Sequence, residues 1–187
     1  KGSNQVSVLA TARILSLQAR TDEMLTLVAR GTADDKETAF VGGTAADGTP
    51  VPSTEKALAD SLATAHRIAT DDTGRQLADS ASDDEAKWNT LHKELRGLDQ
   101  QNQYQKAVDS ALGEHDYAPP KDSAAQSFNN LQDDLDKAIA HAEDSFRAEA
   151  KSAAGALTGL QIGLGVLAAA IAAAVVLGLG RRLAEYH

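Results

Sequence analysis

Four polar side chains near the start of the chain have the types that recognise an anionic group: Arg13, Gln18, Arg20 and Thr21. A guanidinium holds a carboxylate through two parallel N–H donors. At helical spacing, Gln18 and Thr21 fall in or beside an apolar stripe with the two arginines on its flank. The simpler reading of the same residues is structural. Thr21 bonds back to the Leu17 carbonyl, and the arginines lay their stems along the surface.

Reactive chemistry is not expected, and no cofactor is implied. The 187 residues include no cysteine, no GxSxG elbow, no phosphate-binding glycine loop and no HExxH pair. His66, His92, His115 and His141 are widely spaced, which suits solvated helix surfaces better than a metal site. The acidic groups Asp71-Asp72, Asp83-Asp84-Glu85 and Asp133-Asp134-Asp136 lack the glycine and the order of a calcium loop, and read as solvated faces. The chain is acidic overall. Once Arg181, Arg182 and Glu185 are set aside, 16 basic and 26 acidic residues remain, with no basic stripe to neutralise phosphates. Nucleic acid is therefore excluded as a partner.

The elements that would position these residues are helices. Residues 1–5 read as a linker. Over 6–30, Ala10, Ile14, Leu17, Thr21, Leu25 and Val28 recur on one face, with Val6 and Met24 at its edge, and Gly31 can end the helix. Residues 32–53 hold Gly42-Gly43, Gly48, Pro50 and Pro52 and read as a long loop, with a helical turn available over Asp34–Val41. A second helix is expected over 54–77, with Leu58, Leu62, Ala65 and Ala69 inward. Ser82 and Glu85 have capping-box spacing and place the start of a third helix at about 83, running to 112. Its pattern uses Trp88, Leu91, Leu95 and Leu98, and a break is signalled around Gly97 and 99–102. Pro119-Pro120 ends that arm. Asp122 can cap a fourth helix over 122–155, lined by Phe128, Leu131, Leu135, Ile139, Ala142 and Phe146. The expected fold is all-α: an up-down-up-down four-helix bundle over 6–155 whose last helix continues into a transmembrane helix.

That continuation is read from Leu157–Gly180, 24 residues without charge or proline, followed by Arg181 and Arg182. At about 1.5 Å per residue it is long enough to cross a bilayer, and the arginines place 181–187 in the cytoplasm with the N-terminal domain outside. A location in the cell membrane with a single visible span at 156–180 follows as an expectation, as does an export signal upstream. Gly155, Gly159 and Gly163 stand four apart on one helix face, where small residues let a second helix, including that of another copy, approach closely.

Leu17–Gly31, LQARTDEMLTLVARG, together with the terminal GLGRRLAEYH, resembles an actinobacterial GlnX-like family of membrane proteins with an extracytoplasmic helical domain. Leu17, Arg20, Asp22, Glu23, Leu27, Arg30 and Gly31 carry the resemblance. It implies amino-acid sensing in contact with an extracytoplasmic solute-binding protein. The expected function is thus a membrane-anchored sensor or docking module that relays a signal. Two alternatives stand beside it: an assembly protein dimerising through the glycine face, and a direct small-molecule receptor with an arginine-containing cavity between helices.

Overall fold

The computed structural model describes residues 2–29, 34–113 and 123–184, with side-chain surroundings described for 3–29, 35–113 and 123–154. Among the described residues the chain is all-α apart from one small hairpin. Its elements run α1 (Gly2–Val28), α2 (Asp34–Val41), β1 (Gly43–Thr44), β2 (Pro50–Val51), α3 (Thr54–Ile68), α4 (Asp72–Gln100), α5 (Tyr104–Leu112) and α6 (Ala124–Ala184). The chain divides into two compact units, Lys1–Ser145 and Phe146–His187.

In the first unit α1 packs on α2 and α3, α3 on α4, and α4 on α5. One apolar core gathers Leu9, Ala12 and Ala19 of α1, Phe40 of α2, Leu58, Leu62 and Ala65 of α3, Ala78, Ala81 and Trp88 of α4, and Leu131, Leu135, Ala138 and Ala142 of α6. A smaller cluster joins Leu27, Leu95, Ala107 and Ala111. Alanine at so many core positions lets helix axes approach closely, so packing rather than side-chain bulk fills the interior.

Several boundaries differ from the sequence expectation. The second helix stops at Ile68, well before 77. The expected third helix, α4, begins at Asp72 because Asp71 caps it, its carboxylate accepting the Gly74 amide at 2.7 Å. Ser82 therefore lies inside a helix and caps nothing. Its hydroxyl donates to the Ala78 carbonyl, and Glu85 is buried instead of reaching back. The expected break after Gly97 falls at 101–103, where Asn102 takes φ 59° between α4 and α5. The expected fourth helix, α6, begins at Ala124, and the Ser123 hydroxyl accepts the Gln126 amide at 3.1 Å. Gly31, Pro119, Pro120 and Asp122 lie outside the described residues.

The largest difference concerns α1. Its expected inward stripe faces solvent: Ile14 is 65% exposed, Leu17 48%, Leu25 43% and Val28 75%. The buried face is the opposite one, carrying Gln5, Leu9, Ala12, Ser16, Ala19, Glu23, Thr26 and Leu27. Small residues at 12, 16 and 19 fit the close approach of neighbouring helices, and the polar groups on this face find partners. Ser16 donates to the Arg13 carbonyl and accepts from Gln132 at 2.7 Å, and Thr26 donates to the Asp22 carbonyl.

The expected membrane span is also corrected. Among the described residues no helix is long and apolar enough to cross a membrane. The described side chains of α6 end at Ala154 and include Asp133, Asp134, Asp136, Lys137, Glu143, Asp144, Arg147, Glu149 and Lys151, so this part of the helix does not suit a bilayer core. The expected single visible transmembrane helix, with the N-terminal domain outside and the C-terminus in the cytoplasm, is thus not found among the described residues. The side chains of Gly155, Gly159 and Gly163, and of 156–180, lie outside the described residues.

Candidate functional site

The loop between α1 and α3 folds into α2 and the hairpin, and this places charged and aromatic groups over α1 and α4. The hairpin pairs Gly43 with Val51 and Thr44 with Pro50. Gly42 holds φ +82°, and a Cβ there would lie 2.9 Å from the Ser53 Cβ, so only glycine turns the chain from α2 into β1 without strain. The Ser53 and Thr54 hydroxyls donate to the Phe40 and Ala39 carbonyls at 3.1 and 3.0 Å, tying the end of α2 to the start of α3.

Beneath α2 lies a buried ionic seam. Glu23 of α1, its side chain fully buried, pairs with Arg20 one turn earlier. Its carboxylate accepts from the Trp88 indole at 3.2 Å and meets His92 Nδ1 at 3.1 Å. The other imidazole nitrogen, Nε2, faces Glu37 of α2 at 3.3 Å. Glu37 also meets Arg96 Nε at 3.0 Å, and Arg96 continues to Asp99 at 2.7 Å. The Phe40 ring stacks on the imidazole with centroids 3.9 Å apart and meets Trp88 edge-on at 5.8 Å. At the far end, Arg20 donates to the Ala111 carbonyl at 2.8 Å and lies over the Phe128 ring.

The electrostatics follow from this geometry. Burial disfavours the charged imidazolium, but the carboxylates of Glu23 and Glu37 outweigh it and hold His92 above its ordinary value. Burial likewise works against the Glu37 carboxylate, and His92 and Arg96 outweigh it, keeping Glu37 below the usual range. With His92 protonated, the cations Arg20, His92 and Arg96 balance the anions Glu23, Glu37 and Asp99. Loss of that proton leaves an excess negative charge in the seam. The contacts of Glu37 Oε2 with His92 Nε2 and Arg96 Nε are buried ion pairs whose hydrogen-bond alignment is poor.

A second buried carboxyl lies where α3 faces α4. Burial, and then the nearby Glu55 carboxylate, push Glu85 up to about 7. Glu55 itself accepts from Asn89.

Of the residues singled out by type and spacing, the structure brings only Arg20 into this seam. Arg13 is exposed and pairs with Asp136. Gln18 is exposed. Thr21 is exposed and donates to the Leu17 carbonyl at 2.8 Å. His92 is not a solvated surface histidine, being 1% exposed. His66 and His141 do stand nearer solvent, paired with Asp79 and Asp71. Among the described residues, open clefts of about 480, 330 and 260 Å³ lie elsewhere. The largest of these three contains Arg67 with Asn4, Ile68, Ala69 and Thr70, and none of the three contains Arg13, Gln18, Arg20 or Thr21. Among the described residues no cluster of side chains has metal-binding geometry.

Comparison with protein families finds no match, and comparisons with characterised proteins and with solved structures find none either.

Proposed function

We propose that the chain is a non-catalytic sensor and docking module, built on an up-down-up-down bundle of α1, α3, α4 and the first part of α6, in which α2 is a strap that opens and closes over the seam. The observation that carries this reading is His92, whose one ring joins carboxylates from two different elements, Glu23 of α1 and Glu37 of α2. An imidazole enclosed by two carboxylates and a stacked phenyl ring is closed to substrate, which favours a latch over a general base. The shared core of those four helices supports the bundle. Native-state hydrogen exchange tests the strap. Amides of 34–41 should open at a lower free energy than those of α3 and α4, and Glu37→Gln should lower it further. Opening of α2 only together with the core would refute it.

The outward stripe of α1, with Ile14, Leu17, Leu25 and Val28, supports a protein partner, since a row of large apolar side chains on a helix face is an interaction surface. With the GlnX-like resemblance of residues 17–31, the partner proposed is a solute-binding protein that carries an amino acid. Amino-acid-dependent binding of such a protein, lost in the Leu17→Asp, Leu25→Asp double variant, is the expected result. Binding undiminished in that variant would remove α1 from the interface.

A further inference from the structure

We infer that α2 stands in for a ligand, and that the ground beneath it, bounded by Glu23, Trp88, His92 and Arg96, is a binding site for a small aromatic carboxylate. This rests on the strap reading above and adds the chemical class that the strap excludes.

Phe40 and Glu37 are three residues apart on one helix, so their side chains leave the same face about 5–6 Å apart. Together they present one phenyl ring and one carboxylate to α1 and α4. The ring occupies a slot made of the imidazole face, at 3.9 Å and an interplanar angle of 19°, and the Trp88 edge. The carboxylate meets the imidazole edge and the Arg96 guanidinium, the pair of cations suited to an anionic group. A free molecule with a ring and a carboxylate joined by two or three saturated carbons reproduces both contacts.

The fit of the present occupant is the second observation. Glu37 Oε2 meets His92 Nε2 at 3.3 Å and Arg96 Nε at 3.0 Å as ion pairs, but neither contact has the alignment of a good hydrogen bond. A charged pair is strongest when its hydrogen bonds are also aligned, so this pairing falls short of what the same groups could make. The helical backbone of α2 fixes where the Glu37 carboxylate can reach. A carboxylate free of that backbone can align with both donors. Glu23 does not compete for them from below, because its oxygens are engaged by Arg20, Trp88 and the opposite imidazole nitrogen.

A tethered occupant competes at high effective concentration, so affinity in the native chain is reduced by the fraction of strap that is open. Weakening the occupant must therefore strengthen the ligand. The probe is 3-phenylpropionate, titrated into the full chain, with 3-phenylpropan-1-ol and propionate as controls lacking the charge or the ring. We expect saturable binding of 3-phenylpropionate, at least tenfold tighter in Glu37→Gln and in Phe40→Ala, with both controls at least tenfold weaker. Amides of 34–41 should lose exchange protection as the probe binds. Glu37→Gln keeps the side-chain volume, so the test survives if Phe40→Ala disrupts the core. Equal binding of the alcohol, binding that leaves 34–41 protected, or no binding to either the native chain or Glu37→Gln would overturn the assignment. If α2 opens ahead of the core but no probe binds, the ligand class falls and the strap stands. If α2 opens only with the core, both fall.

Discussion

Glu23 Oε1 lies 3.1 Å from His92 Nδ1 and 3.2 Å from Trp88 Nε1, so one carboxylate oxygen ties α1 to two successive turns of α4. Removing the Glu23 carboxylate takes the acceptor from the Trp88 N–H and one of two partners from His92 and from Arg20. Glu23→Ala should cost about 3–5 kcal/mol, the usual penalty for breaking a buried ion pair from one side. Glu23→Gln, which still accepts from Trp88, should cost less. Urea unfolding measures both. Trp88 is the only tryptophan in the chain, so its fluorescence reports the seam directly.

The pH dependence of the strap has a definite sign. His92 is held above its ordinary 6.5, so its contribution is full below that value and is lost as pH rises through the folded value. Glu37 is held below its ordinary 4.5, so its contribution is full above 4.5 and fades as pH falls through the folded value. The groups facing His92 are Glu23 from α1, Glu37 from α2 and Arg96 from its own helix. Closure of α2 should be strongest between about pH 4.5 and 6.5, and exchange protection of 34–41 should decline on the alkaline side. His92→Gln should abolish the alkaline decline.

Glu85 carries the opposite consequence. Its carboxyl is pushed up to about 7 from 4.5, so the fold is fully stable in this respect below 4.5 and is progressively penalised as pH rises to 7. Glu85→Gln should leave stability at pH 4.5 unchanged and add about 1–2 kcal/mol at pH 8, less than the full linkage value because part of the carboxyl reaches solvent. Thermal melts of the two proteins at both pH values would show it. Equal melting at pH 8 would mean that the Glu85 charge is relieved by its surroundings.

The roll of α1 about its axis can be tested by substitution. Ile14→Ser and Val28→Ser, on the outward face, should change stability by no more than about 0.5 kcal/mol. Ala12→Leu and Ala19→Leu, at fully buried positions, should each cost about 1–3 kcal/mol through overpacking. Reversed effects would place the stripe inside.

Much of the helical skeleton is legible from periodicity, because α3 and α6 bury leucines at regular spacing: Leu58 and Leu62, Leu131 and Leu135. The short helix at Asp34–Val41 is also visible as a possible turn in the loop. Periodicity misplaces α1 because it ranks faces by apolar content. The inner face of α1 is chosen by small volume and by pairing, through Ala12, Ser16, Ala19 and Glu23 with their neighbours. The capping-box signal at Ser82 and Glu85 is overridden because Asp71 supplies a cap earlier, and a helix once started continues. Apart from Arg20, the seam is not legible. Its members, at 20, 23, 37, 88, 92, 96 and 99, share no local pattern, and only the folding of α2 back over α4 brings them together. A glutamate two turns before a loop that holds a second glutamate and a phenylalanine was the available hint, and it is too common to be diagnostic.

The inverted faces of α1 bear on how the chain reaches its fold. A collapsing chain meets two surfaces on this helix, and the more oily one is wrong. Burying Ile14, Leu17 and Leu25 would be favourable early, while Glu23 and Thr26 stayed comfortably in water. The native roll gains its advantage only when Trp88 and His92 arrive to receive Glu23, which requires contacts across 65 and 69 residues of chain. The commitment of α1 is therefore expected late in folding. Ala12→Gly should accelerate unfolding and leave the folding rate nearly untouched, the signature of a contact made after the barrier has been crossed.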